Sequence, residues 1–187
     1  MSTKDREKWD KRYAQTARPA PTPPKALINN ISLLCAGRVL DVASGEGAVS
    51  LCLSARPEFQ VTAIDISVVG LQTLTTLVLE QGGHVTTLNI ELDDLPAVAN
   101  LGCFESICLF KFKPSRALLT TLVHNLVVNG RLMISTFNQR HHHETGFNRS
   151  LCLSANELLD HSDDLKLIHF EQSNNPPFTD TYVFEKL

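Results

Sequence analysis

Val39-Leu-Asp-Val-Ala-Ser-Gly-Glu-Gly47 is an apolar run that closes on small residues. Val39, Leu40 and Val42 suit a strand buried on both faces, predicted over 38–42 after Gly37. Gly45 and Gly47 accept backbone angles that other residues resist, and Ala43 and Ser44 are nearly as small. A ligand can therefore press against the bare N–H groups of this turn. A helix should follow it as far as Arg56, where Pro57 stops it. The second strand is predicted over 60–64 and ends at Asp65, eighteen residues beyond Gly47. A carboxylate placed there can hold both hydroxyls of a ribose. The alternative for the same residues is a plain strand-helix turn, with Asp65 capping the helix that follows Ser67.

Outward from this unit the spacing alternates between short β-rich runs and helical stretches, the pattern of a parallel sheet flanked by helices. Before it, a helix is predicted over 5–14, an extended connector over 18–24, where four prolines fall in six residues, and a short helix over 28–35. After it come a helix over 68–80 closed by Gly82 and Gly83, a strand over 84–90, an acidic loop over 91–100 and a strand over 104–110. A helix over 115–128 ends at Asn129-Gly130, followed by a strand over 131–137 and a polar loop over 138–150. Ser154-Ala-Asn-Glu157 has capping-box spacing, which predicts a helix to His161. Strands over 165–171 and 181–186 complete the chain. The expected fold is α/β, a Rossmann-like doubly wound sheet, mostly parallel, with seven strands.

The chain of 187 residues, 43% hydrophobic and 20% charged, has the size of one domain. Its net charge of -3 is uneven: residues 1–25 hold seven Lys/Arg against three acids, a net +4 that leaves -7 on the remainder. The division expected is a basic helical arm with a Pro-rich connector over 1–26 and a single domain over 27–187. Without a bulk basic field or an added recognition unit, nucleic acid is not the expected partner. The five cysteines form no C-x-x-C pair and read as reduced core residues, and no metal site is expected. No apolar run reaches the roughly 20 residues of a membrane span, so a soluble cytoplasmic protein with a small-molecule substrate is expected.

The turn separates nucleotide ligands by chemistry. A dinucleotide fingerprint G-x-G-x-x-G would have glycine at its sixth position, where Ser50 stands, and the Gly-Lys-Ser/Thr of a phosphate loop is absent. Asp41, at the end of the first strand, would repel a pyrophosphate but suits a cationic ligand. S-adenosylmethionine carries such a cation, a sulfonium on an ammonium-bearing tail, and fits better than NAD.

These residues resemble the class I S-adenosylmethionine-dependent methyltransferases, and among them the tellurite-resistance (TehB-like) group. Residues 39–47 are similar to that group's first motif, in which Ala tends to replace the first Gly of G-x-G-x-G. Val61-Thr-Ala-Ile-Asp-Ile-Ser67 resembles the second-strand motif, Glu91-Leu-Asp-Asp-Leu-Pro96 the third, and Gly130-Arg-Leu-Met-Ile-Ser-Thr-Phe137 the strand after the last crossover helix. Trp9-Asp-Lys-Arg-Tyr13 resembles an amino-terminal segment that packs near the cofactor. The resemblance implies an antiparallel last strand. It also implies that Asp41, Ala43, Gly45 and Gly47 surround the methionine tail, Asp65 takes the ribose hydroxyls, Ile66 lies against the adenine, and Glu91 and Leu92 edge that ring. Two departures stand out. Glu91 occupies a position where Asp is commoner, and Lys111 and Lys113 replace a Tyr-Leu-His-like stretch.

Phe110 reads either as a neighbour of the adenosyl group or as an ordinary core aromatic. Arg140-His-His-His-Glu144 follows the fifth strand, at the edge where ligands bind in open α/β sheets. The run His141 to His143 reads as a solvated loop, a substrate-facing lid or a metal site, and Arg140 and His143 are its substrate candidates. Tyr13 shares a helix face with Trp9 and either packs there or helps to close the cofactor pocket. Methyl transfer to a small acceptor, such as a thiol or a metalloid oxyanion, is the expected activity, with no catalytic residue assigned. A non-catalytic S-adenosylmethionine-binding module and an NAD-dependent oxidoreductase are the alternatives.

Overall fold

The computed structural model describes residues 3–15, 20–159 and 163–187. Seven strands form one sheet: β1 (Gly37–Val42), β2 (Phe59–Asp65), β3 (Val85–Asn89), β4 (Phe104–Phe110), β5 (Leu126–Phe137), β6 (Leu165–Gln172) and β7 (Thr179–Lys186). Their order is β3-β2-β1-β4-β5-β7-β6. The first five run parallel, and β7 is antiparallel to both β5 and β6, as expected. The helices are α1 (Thr3–Tyr13), α2 (Lys25–Asn30), α3 (Ala48–Ser54), α4 (Val68–Glu80), α5 (Leu95–Ala99), α6 (Arg116–His124) and α7 (Gln139–Thr145).

Alternation along each strand sorts the core onto two faces. Leu40, Ile107, Leu132 and Tyr182 face one side, where Leu118 and Leu122 of α6 cover them. Val39, Cys108, Met133 and Val183 face the other, under Leu27 of α2 and Val49 and Leu53 of α3. A smaller cluster joins Leu51, Ala63, Leu74 and Val78. Central strands covered on both faces must be apolar almost throughout, which is why β1 and β4 are legible as strands. No helix among the described residues is long and apolar enough to cross a membrane.

Several local expectations are corrected. The acidic loop contains α5, whose cap is Asp94 accepting from the Ala97 amide. The stretch after β5 is not a loop: Asn138 accepts from the His141 amide and starts α7, and Gly146, at φ +71°, ends it. The helix expected over 115–128 stops at His124, because the Asn125 side chain donates to the carbonyls of Val98, Ala99 and Gly102 while Leu126 pairs with Phe104. Asn129-Gly130 therefore lies within β5 rather than ending a helix. The short helix expected over 28–35 begins earlier, at Lys25 behind Pro24, and gives way to a 3-10 turn over Ile31–Leu33. Residues 155–159 form turns, although Glu157 accepts from the Ser154 amide at 2.8 Å as a capping box requires; the rest of that helix, residues 160 and 161, lies outside the described residues. So do Arg18 and Pro19 of the connector, while residues 20–24 form neither helix nor strand.

Candidate functional site

β1 has β2 on one side and β4 on the other, and the chain order reverses there, so the carboxyl ends of these strands open the crevice where such sheets bind ligands. The turn after β1 fills its floor. Ala43, Gly45 and Gly47 have φ of 58°, 56° and 82°. The Ser44 amide donates to the Ile64 carbonyl, whereas the Ser44 hydroxyl is buried and unpartnered.

Two carboxylates hold the turn from below. Asp41 is 1% exposed, and one of its oxygens accepts both the Ser50 amide, at 3.1 Å, and the Ser50 hydroxyl, at 2.6 Å. Burial pushes its carboxyl up to about 7, the Ser50 hydrogen bonds hold it down, and the nearby charge of Asp65 adds to the rise. Asp65 divides its oxygens between the Gly45 and Ser67 amides, each at 2.8 Å. Burial raises its pKa too, those amides oppose the rise, and Asp10 adds to it. Asp10 comes from α1, where it accepts from the Ser67 hydroxyl and the Val69 amide at the start of α4. Asp41 and Asp65 thus lie under the turn with Asp10 beside them at Ser67, and a cation bound there would favour the ionised forms that burial opposes.

α1 closes over this field. A Cβ on Gly45 would lie 2.5 Å from the Tyr13 hydroxyl oxygen, and one on Gly70 would lie 3.0 Å from the Tyr13 ring, so both glycines make room for Tyr13. Gly47 has another neighbour: its Cβ would fall 2.2 Å from Leu74, so its missing side chain lets α4 pack against the turn.

The other expected residues spread around this centre. Ile66 is buried beside Asp65, and Asn89 donates to the carbonyls of both. Glu91 is half-buried after β3, whereas Leu92 belongs to the core on the α6 side. Phe110 lies in the opposite apolar cluster with Leu27 and Met133. Lys111 takes a left-handed φ of 56° at the end of β4, and Lys113 is bound to Glu157 at 2.7 Å and to the Cys152 carbonyl at 3.0 Å. On α7, the Arg140 guanidinium lies 4.2 Å above the Phe178 ring and pairs with Glu144, while the His143 ring lies 5.2 Å from that of His142. No metal-holding cluster occurs among the described residues. An open groove of about 630 Å³ involves Arg38, Phe59 and Gln60 at the starts of β1 and β2, away from the turn.

Ser50, Asp10 and Asn89 were not among the expected site residues, and of the run His141 to His143 only His143 was singled out as a substrate candidate. Ser50 carried a signal, since a polar residue at the sixth position of the turn motif sits where α3 faces Asp41. Asp10 lies inside the Trp9-Asp-Lys-Arg-Tyr13 segment, but its own role was not legible because its partner lies across the fold.

No protein-family model matches the chain. It is 30% identical over 118 residues to the ubiquinone/menaquinone biosynthesis C-methyltransferase UbiE of Syntrophotalea carbinolica, a match covering 61% of this chain and 49% of that protein. The chain thus spans about half the length of this curated relative. Among solved structures, the N-methyltransferase NodS of Bradyrhizobium japonicum, in complex with S-adenosyl-L-homocysteine, superposes with a TM-score of 0.74 over 97% of each chain at 12% identity. This chain has the class I methyltransferase fold. TehB of Haemophilus influenzae shares it, with a TM-score of 0.72 over 97% of this chain and 67% of that one at 15% identity.

Proposed function

We propose that the chain is an S-adenosylmethionine-dependent methyltransferase with a small-molecule acceptor. The observation that carries this is the carboxylate field of Asp10, Asp41 and Asp65 around a glycine turn, on a fold shared with methyltransferases. The fit is chemical: the field suits a sulfonium and an ammonium, the buried Ser44 hydroxyl supplies an unused polar atom, and the turn leaves room for a chain-like tail. When bound, S-adenosylmethionine supplies an already activated methyl group. The protein's part is to bind, orient and exclude water.

In this reading Asp65 holds the ribose hydroxyls through its remaining lone pairs, Ile66 and Leu92 lie behind the adenine and Glu91 at its edge, and Asp41 acts through Ser50 on the shape of the turn. Phe110 supports the floor of the crevice. Ala43, Gly45 and Gly47 shape the tail site, and Tyr13 closes it. Arg140 and His143 stand at the acceptor edge. Residues 27–187 are the methyltransferase domain and 1–26 a basic arm and Pro-rich connector, in a soluble cytoplasmic enzyme of the TehB-like group, with a thiol or metalloid oxyanion among its acceptors. The buried Asp41 disfavours the pyrophosphate of NAD. A non-catalytic binding module is the second reading, favoured by the commitment of Lys113 to Glu157 and Cys152. Calorimetry with S-adenosylmethionine, S-adenosylhomocysteine and NADH tests the proposal: the first two should bind to the parent and lose affinity in Asp65→Ala. Binding of NADH alone would overturn it, and binding without turnover on any acceptor would leave the second reading.

A further inference from the structure

β3 is the end strand of the sheet, and only β2 pairs with it. The Ile90 amide donates to the Asp65 carbonyl at 3.1 Å, so alternation turns the backbone groups of Thr86 and Leu88 toward β2 and those of Val85, Thr87 and Asn89 outward. These outward groups have no backbone partner among the described residues. Free edges are normally blunted by charge, proline or a bulge. The opposite edge of the sheet follows that rule, since β6 carries Lys166 and Glu171 and breaks register between Leu167 and His169. β3 does not: Val-Thr-Thr-Leu-Asn has no charge and no proline, and its register with β2 is unbroken.

A groove lies along each face of this edge. One, of about 630 Å³, is lined by Thr86 and Leu88 of β3 and by His84 just before it. The other, of about 400 Å³, is lined by Thr87 and Asn89 with Gln72, Thr75 and Thr76 of α4. The first is open because the connection from β3 to β4 holds only α5, five residues that pack on α6, where a parallel sheet ordinarily has a covering helix. Register sets Arg38 of β1 beside Gln60 of β2, and Thr62 beside Thr86, so the uncovered face is polar. A strand laid against β3 would send its side chains into the two grooves in turn.

The grooves differ in charge. Arg38, Arg56 and His84 line the first, and no Asp or Glu among the described residues does. Arg38 stacks on Phe104 at 4.8 Å and donates to the Leu101 carbonyl, and Arg56 lies 3.9 Å from Glu58. Neither Arg38 nor His84 is in an ion pair among the described residues. The second groove is lined by no charged residue. Unanswered positive charge on a chain of net charge -3 complements an acidic partner. A second copy of β3 would bring no carboxylate of its own, and a free anion would leave the edge backbone unpaired.

We propose that the free edge of β3 binds an extended segment of another protein as an added strand, with acidic side chains toward the groove of Arg38, Arg56 and His84 and small apolar or hydroxyl-bearing ones toward α4. The site needs no cofactor and stands apart from the methyltransferase reading.

The test uses the full chain and a hexapeptide of alternating Glu and Val, blocked at both ends, read by calorimetry and by residue-resolved hydrogen exchange. The peptide should bind, more weakly as salt rises, and slow exchange of the Val85, Thr87 and Asn89 amides. With Lys in place of Glu it should bind roughly tenfold more weakly, and N-methylation of the amides it turns toward β3 should abolish binding. Arg56→Glu combined with His84→Glu, both exposed, should weaken binding about tenfold while urea unfolding stays close to that of the parent. Absence of binding to the parent, equal binding of the Lys peptide, or equal binding by the double variant overturns the proposal. Binding without protection of those three amides overturns it too, and would mean an anion site in the groove alone. Protection that appears without peptide and grows with protein concentration would give the edge to a second copy and likewise overturn it.

Discussion

Ser50 donates both its amide and its hydroxyl to one oxygen of Asp41, at 3.1 and 2.6 Å. The pair ties the end of β1 to the first turn of α3 and so fixes the turn between them. A carboxyl whose pKa rises on folding stabilises the fold most when protonated. For Asp41 that contribution is full below 3.8 and is lost as pH rises through about 7. Asp41→Asn keeps an oxygen to accept from Ser50 and cannot ionise. Its stability should fall less over that window than the parent's, by up to about 1.4 kcal/mol for each unit of the Asp41 shift. Urea unfolding across the window checks this, and parallel curves for the two proteins would mean that Asp41 does not titrate there.

Gly47 and Gly82 share a left-handed backbone, φ +82° and +69°, but not their surroundings. A Cβ on Gly82 meets nothing within 4 Å, so Gly82→Ala should cost only backbone strain, about 1 kcal/mol. Gly47→Ala drives its methyl into Leu74 and should cost about 1–3 kcal/mol more. In a Leu74→Ala background that excess should vanish. A double-mutant cycle of unfolding free energies measures it, and equal costs for both glycines in the parent would remove the packing argument.

What the sequence made legible follows the same division between local and distant causes. β1, β4 and α4 were readable because their signals are local: continuous apolar runs for buried strands, and Gly82-Gly83 past the end of a helix, although its cap is Ser67 and not Asp65. The turn and Asp65 were readable for the same reason. α7 was missed because Arg140-His-His-His-Glu144 is polar all round, and only the Asn138 cap and the apolar seat of His141 reveal it. The limit of α6 was missed because Asn125 acts through carbonyls more than twenty residues away. In the site, the carboxylates of β1 and β2 were found, but Asp10, which joins them from α1, depends on a contact between residues 57 apart.

Lys113 binds both oxygens of Glu157, at 2.7 and 2.8 Å, and the Cys152 carbonyl at 3.0 Å. Burial would raise the Glu157 pKa, but Lys113 and the Ser154 amide outweigh it and hold it below 4.5. A carboxyl lowered by folding stabilises the protein above its unfolded value, and that contribution is lost as pH falls below 4.5. Glu157 is about a third exposed, so solvent screening keeps the ion pair to about 1 kcal/mol or less. Lys113→Met should therefore shift global stability slightly, while the amides of 152–157 exchange faster. Hydrogen exchange reads this directly; unchanged protection there would show that the segment is held by its own turns.

The last relationship concerns the cover of the site. Asp10 fastens α1 to the start of α4, and Tyr13 lies against Gly45 and Gly70. Trp9, the single tryptophan of the chain, stacks on Tyr13 at 5.7 Å with Arg12 at 5.2 Å, so its emission reports the seat of α1. Asp10→Ala removes two hydrogen bonds to a carboxylate and leaves the rest of α1 intact. Its expected effect is a red-shifted Trp9 emission at temperatures where the sheet is still folded, as α1 opens locally rather than with the whole fold. Gly70→Ala should do the same by another route, since its methyl would lie 3.0 Å from both the Tyr13 ring and the Gly45 carbonyl. If Trp9 emission stays as in the parent while Asp10→Ala lowers the melting temperature, Asp10 serves the start of α4 alone and α1 is held by its ring contacts. If emission shifts and S-adenosylmethionine affinity falls with it, the seat of α1 belongs to the cofactor site.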